Sequence, residues 1–389
     1  MGSLVESGTS AVQDESRPSS SRLVLVDFAR AVAVLFMIQG HTLDVLLAPN
    51  YRQGALFESW LFLRGLTAPM FFTLSGISFA LSGIRRWDAY SRPSPAFFRR
   101  LGRFAFFICL GYLMHLPVKS FHDFRYLDAA GWQGWLQVDV LQCIGFTLIF
   151  LQLSLLFAPS PEIFAGLAAA SSACVVLISP VVWDANAAGH VPPAIASYLN
   201  ARTGSLFPLF PWSGYVFFGA ALGYLFAQRW SGSSHSAGRP LAIVGIPLIF
   251  AGLCFAGFPV TLYRNIEFWK VSPNLFLIRV GSVCCLLALL AYLTRRIAIP
   301  QRAARSLAQE SLTVYFVHVC LLYGSIWNVG LRQTIGANLA PLPTLGWACV
   351  LLVSMTLLGL SWNWHKKAAP MANRLVRTAI VVAIAYGLS

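Results

Sequence analysis

The sequence predicts an all-α, polytopic membrane bundle of about ten or eleven transmembrane helices. Three observations carry that prediction. The 389 residues are 57% hydrophobic and only 11% charged, where soluble domains hold roughly 25% charged residues. Apolar runs of about 20 residues, the length that crosses a bilayer, recur along the whole chain. The basic residues also gather in alternate connections: Arg85, Arg86, Arg92, Arg99, Arg100 and Arg103 in one, Arg295, Arg296, Arg302 and Arg305 in another, Lys366, Lys367, Arg374 and Arg377 in the last. The positive-inside rule puts those connections and the N-terminus in the cytoplasm. The expected location is the cell inner membrane, multi-pass. The formal net charge of +14 is thereby read as topology, and nucleic acid is not an expected partner.

Residues 1–21, rich in serine and without apolar periodicity, are expected to form a disordered cytoplasmic tail, with 22–389 a single membrane domain. The apolar run that follows the tail is too long for a signal peptide and has no small-residue cleavage site, so the first span reads as an uncleaved anchor. Spans fall at 24–48, 58–84, 101–118, 138–158, 162–182, 206–228, 240–257, 275–294, 308–328 and 343–362. An eleventh run, 375–388, is short enough either to span or to lie at the interface. The longest outer loops, 119–137 and 183–205, carry Trp132, Trp135, Asp123, Asp128 and His190. Aromatic and acidic side chains suit sugar contact, although tryptophan at a membrane interface more often anchors the chain. All eight cysteines lie in apolar runs without a C-x-x-C spacing, which favours packing over a disulfide framework or a metal site.

The first span holds the densest chemistry. In RLVLVDFARAVAVLFMIQGHTLD, Asp27/Arg30 and His41/Asp44 are each spaced i,i+3 and share a helix face. His41 lies about 21 Å along the helix from Asp27. Ionisable groups inside a membrane are costly unless paired or facing water, so they mark function. His41 is a candidate base for a hydroxyl or amine nucleophile, and Asp44 one turn away could fix its tautomer. A histidine bonding a neighbouring helix would leave the same pattern. Asp27/Arg30 reads either as a self-neutralising pair or, through Arg30 with Arg99, Arg100 and Arg103, as a phosphate-binding group.

Other polar residues mark the outer half of the bundle. Arg64 opens the second span near the depth of His41, and could bind an anion or an oxyanion or could simply snorkel. Pro69 can break that span. His115, Asp139 and Arg279 lie toward the same side, and Asp139 could pair with Arg279 or Arg64. His318, near the middle of the ninth span, is a second intramembrane histidine, with Glu310 a turn or two toward the cytoplasm. None of these has metal-ligand spacing.

Several of these segments, taken in order, form a family pattern. They are R-x4-D-x2-R…M-x3-H (Arg22, Asp27, Arg30, Met37, His41), the Pro69–Gly76 run, VLQCIG from Val140, FPLFPWSGYVFFGAALG from Phe207, and SLTVYFVH ending at His318. Together they resemble the bacterial heparan-alpha-glucosaminide N-acetyltransferase-like membrane family, distant cousins of the acyltransferase-3 membrane proteins. The resemblance covers roughly residues 22–365. It implies an integral membrane acyltransferase that takes an acyl group, acetyl foremost, from cytoplasmic acetyl-CoA or another acyl-CoA and places it on a sugar or glycan hydroxyl or amine on the far side.

On that reading the catalytic candidates are His41, Asp44, Arg64, Arg279 and His318, with Arg30, Arg99, Arg100 and Arg103 holding the donor phosphates and no metal. The expected partners are the bilayer and a glycan or sugar acceptor, with homo-oligomer formation left open. The alternative from another class is a transporter or flippase for a small anionic or glycan-linked solute, without covalent chemistry.

Overall fold

The computed structural model describes residues 24–185, 189–229, 237–258, 263, 266–297, 300–372, 375 and 378. The N-terminal tail, Arg22, Arg374, Arg377 and nearly all of the eleventh apolar run lie outside them. The longer helices are α1 (Val24–Leu46), α2 (Ala55–Gly65), α3 (Thr67–Ile84), α4 (Pro95–Met114), α5 (Ala129–Trp135), α6 (Val140–Ser154) and α7 (Pro161–Asp184). After these come α8 (Leu209–Arg229), α9 (Gly238–Ala256), α10 (Pro273–Arg296), α11 (Gln301–Gln309), α12 (Ser311–Tyr323) and α13 (Pro341–Ala368). Among the described residues there is no β-sheet, only two isolated bridges. The chain is an all-α, multi-pass membrane bundle.

Each of the ten apolar runs contains a helix, and among the described residues seven helical stretches, with Ala55–Ile84 counted as one, are long and apolar enough to cross a membrane. The run at 58–84 is α2 and α3 in sequence, and the change of helix falls at Leu66. Pro69 then sits in the first turn of α3, where a missing N–H breaks no helical bond. Helices α5 and α6, bent by 60° at the break between them, reach that length and hydropathy only when taken together, as a broken span or a re-entrant loop. Helix α4 carries Arg99, Arg100 and Arg103 in its first half, so it is too charged to pass as a purely apolar span. The run at 308–328 is interrupted at Glu310 and stops at Gly324, which leaves α12 only 13 residues.

Helix starts follow local chemistry. Three of them are Ser-Pro pairs: Ser94, Ser160 and Ser272 accept backbone N–H bonds as N-caps, and the following proline takes the first helical position. Asp139 caps α6 in a capping box with Gln142.

Two helix crossings depend on glycine. A Cβ on Gly76 of α3 would overlap the Val216 carbonyl of α8, and one on Gly219 of α8 would overlap the Thr73 carbonyl of α3. Gly219 and Gly223 are a G-x-x-x-G pair, the arrangement that lets two backbones touch inside a membrane. Helices α9 and α10 meet in the same way. A Cβ on Gly245 would lie 2.7 Å from the Gly281 carbonyl oxygen.

Helix α1 runs between two apolar clusters. Leu25, Val26, Ala29 and Ala33 pack into the larger one with α3, α6, α8 and α10. Val34, Ile38, Val45 and Leu46 pack into a second one with α11, α12 and α13. The interruption before α12 is held by Glu310, only 3% exposed, whose carboxylate accepts Lys366 Nζ at 2.6 Å and Asn363 Nδ2 at 3.1 Å from α13. The aromatics between α4 and α6 also serve packing: Phe124 and Trp135 lie 4.8 Å apart by ring centroid, and Trp135 Nε1 donates to the Tyr112 carbonyl at 3.0 Å.

Candidate active site

Arg30 and His41 are eleven residues apart, which is three helical turns and about 20° of rotation at 3.6 residues per turn. They therefore occupy one stripe of α1, with Met37 between them. That stripe faces a cavity of about 1680 Å³. Arg30, Arg100 and Arg103 line it at one end, and His41, Asp44, Arg64, His115 and Asp139 toward the other, with Arg279 on a further wall. The arginine end and the histidine end of α1 are thus joined by one continuous space.

At the histidine end, His41 and His318 are direct partners. His41 Nδ1 lies 3.0 Å from His318 Nε2, and the two rings stack at 5.2 Å with 13° between their planes. His318 is fully buried, and its Nδ1 is 2.8 Å from the Val314 carbonyl one turn back in α12. A carbonyl only accepts, so His318 carries a proton on Nδ1. With the ring neutral, its Nε2 offers a lone pair, and His41 Nδ1 must be the donor to it. His41 is then left with an unprotonated Nε2. Tyr323 closes edge-on against the His41 ring at 5.7 Å, and Tyr315 against His318 at the same distance.

This arrangement corrects the role expected of Asp44. Its carboxylate is held by Arg64 in a salt bridge, so the residue that fixes the His41 tautomer is His318 and not Asp44. The two residues share a helix face as expected, but a guanidinium within reach attracts a carboxylate more strongly than a neutral imidazole does. Arg64 reaches Asp44 by passing over Gly40, where a Cβ would stand 3.0 Å from Arg64 Nε. It also lies over the Trp60 ring at 5.6 Å.

Asp139 pairs with neither Arg279 nor Arg64. Its Oδ1 accepts the Val140 N–H at 2.7 Å as the α6 cap. Its Oδ2 takes His115 Nε2 at 3.1 Å and the Tyr315 hydroxyl at 3.0 Å. Being the first residue before α6, Asp139 is committed to the cap on one oxygen, and its second oxygen is left for the nearest donors. Arg279 lines the cavity beside Tyr215.

At the opposite end, Arg30 donates to the Ser78 hydroxyl. Arg100, 4% exposed, donates through Nη2 to the Phe79 carbonyl at 2.7 Å and the Ser82 hydroxyl at 2.8 Å, and lies 3.9 Å from the Phe79 ring centroid. Its Nη1 is buried without a hydrogen-bond partner. Buried donors are nearly always satisfied; this one is enclosed by the Phe79, Tyr90 and Phe104 rings, and Arg100 keeps a donor to spare at the arginine end of the cavity. Arg99 departs from expectation: it is exposed and lies off the cavity, one residue round the helix from Arg100. Sequence reasoning also passed over Ser78 and Ser82 on α3, which lie about one turn apart and pin Arg30 and Arg100, and over Tyr315 and Tyr323. The serine spacing was the available signal. Among the described residues, no group of three His, Cys, Asp or Glu could hold a metal ion.

The family described as "Heparan-alpha-glucosaminide N-acetyltransferase, catalytic" matches residues 22–254. That span contains His41, Asp44, Arg64, His115 and Asp139, while Arg279 and His318 lie beyond it. A search of curated proteins returns no match. With more than half of its length matched, the chain belongs to the heparan-alpha-glucosaminide N-acetyltransferase catalytic family of membrane acetyltransferases.

Proposed function

We propose that the protein transfers an acetyl group from cytoplasmic acetyl-CoA to a sugar or glycan amine or hydroxyl on the extracytoplasmic side. The observation that carries this reading is the single cavity bounded by Arg30, Arg100 and Arg103 at one end and by His41 at the other. Arg30 and Arg100, fixed by Ser78 and Ser82, hold the donor's phosphates, and Arg103 adds a third cation at that end. The thioester end of the donor reaches along the cavity toward His41.

At the reacting carbon, His41 Nε2 takes the proton of the attacking amine or hydroxyl and hands it to the departing sulfur. His318 keeps that nitrogen unprotonated beforehand and holds the ring in place. General-base assistance of this kind contributes typically 10²–10⁴-fold. Arg64, oriented by Asp44, stabilises the oxyanion, with Arg279 the second cation on the wall. One such donor is worth roughly 3–4 kcal/mol in a dry site. The amine is favoured as acceptor because the matching family is one of N-acetyltransferases.

A transporter or flippase for an anionic or glycan-linked solute is the second reading, favoured by the continuity of the cavity. The two separate in one experiment on purified protein incubated with radiolabelled acetyl-CoA and a panel of sugars. The acyltransferase reading expects labelled sugar and free CoA, both lost in His41→Ala. Solute movement in vesicles without CoA release from any acceptor would favour transport.

A further inference from the structure

The cavity holds a second imidazole with a different partner. His115, at the end of α4, is 37% exposed at its side chain and bonds through Nε2 to Asp139. Since a carboxylate only accepts, the His115 proton is on Nε2, and in the neutral ring Nδ1 carries a free lone pair. The cap bond from Val140 goes to Oδ1 of Asp139, while the imidazole is on Oδ2, so helix capping alone does not account for His115. The carboxylate stands to His115 as an orienting and imidazolium-stabilising group.

The other groups around this pair are few. Tyr315 of α12 donates its hydroxyl to Asp139, and its ring meets His318. Gln142 of α6 accepts the Asp139 N–H at 3.2 Å. Asp139 also lies within electrostatic range of His41 on α1 and Tyr323 on α12, and Arg64 of α2 stands on the same cavity. His41, by contrast, has no carboxylate partner, because Asp44 is taken by Arg64.

An amine acceptor has two protons to lose. A sugar amine reaches the site as an ammonium ion, which has no lone pair and cannot attack. It must release one proton before attack and a second during attack, so that R–NH3+ plus acetyl-S-CoA gives R–NH-acetyl, CoA-SH and H+. The second proton passes through His41 to sulfur, as the N–C bond forms and the C–S bond breaks. A separate base beside the acceptor lets His41 enter the attack with its Nε2 lone pair still free.

Resting on the acetyl-transfer reading above, we propose that His115, oriented by Asp139, is a further catalytic residue that takes the first proton from the acceptor's ammonium group and releases it to the extracytoplasmic water. The carboxylate beside it also attracts the cation before deprotonation.

The test is the pH dependence of kcat/KM with glucosamine as the probe amine and radiolabelled acetyl-CoA as donor, for wild type, His115→Gln, Asp139→Asn and His41→Gln. At about pH 6.5, His115→Gln should be at least about tenfold below wild type. It should then regain about tenfold per pH unit as the amine itself loses its proton, and converge on wild type above the amine's pKa. Asp139→Asn keeps the α6 cap, because asparagine caps as well as aspartate, and should follow the same profile in milder form. His41→Gln should stay inactive at every pH. A His115→Gln profile parallel to wild type, or one that high pH fails to rescue, would overturn the inference while leaving acetyl transfer intact. Wild type that turns over no acceptor at any pH would overturn the acetyl-transfer reading itself, and this inference with it.

Discussion

Replacing His318 with phenylalanine isolates the contribution of the histidine pair. Phenylalanine keeps a ring of similar size in the stack at 5.2 Å and removes both hydrogen bonds of the imidazole. Val314 is a helix carbonyl with its backbone partner still in place, so the serious loss is on His41, whose Nδ1–H loses the acceptor 3.0 Å away. Leaving one buried donor unmatched costs about 1–3 kcal/mol. The alternative tautomer, with the proton on Nε2, then competes, and that form has no lone pair for the acceptor. At 1.4 kcal/mol per factor of ten, kcat/KM for acetyl transfer should fall about 5- to 150-fold. His41→Ala should lose about 10²–10⁴-fold. His318→Gln, which retains an acceptor oxygen, should recover part of the loss. The assay is labelled-sugar formation, with thermal stability in detergent measured alongside. Wild-type activity in His318→Phe would refute the tautomer argument, and so would a loss well beyond about 150-fold in a variant of unchanged stability.

Two further perturbations probe other parts of the account. Arg100→Lys replaces a planar fork on the Phe79 carbonyl and the Ser82 hydroxyl with a point charge, and should raise the KM for acetyl-CoA about tenfold with little change in kcat; an unchanged KM would remove Arg100 from donor binding. Gly219→Ala puts a methyl group against the Thr73 carbonyl and should destabilise the α3–α8 crossing by about 1–3 kcal/mol, read as a lower Tm in detergent; an unaltered Tm would mean that the helices do not touch there.

The bundle was legible in the sequence because each apolar run is a direct record of a bilayer's thickness, and the Ser-Pro and Asp139 caps mark where several helices begin. The stripe on α1 was legible for the same reason, since Arg30, Met37 and His41 follow helical periodicity. What could not be read was which helix faces which. His41 and His318 lie 277 residues apart, and no local pattern pairs them. Asp44 is the instructive case: its spacing from His41 is a true statement about one helix, and the competing claim of Arg64 appears only once α2 is folded beside it. Arg99 and Arg100 make the same point from the other direction. They are adjacent and chemically identical in sequence, but 100° of helix rotation sends one to the surface and the other to the cavity.

The measurement that bears most directly on the central claim is acetyl transfer across a sealed membrane. Vesicles reconstituted with the protein would carry glucosamine trapped inside and radiolabelled acetyl-CoA added outside. If the cavity joins a donor end to an acceptor end, labelled sugar should accumulate in the lumen of wild-type vesicles and not in those bearing His41→Ala. Product formed only when donor and acceptor share one side would contradict the account.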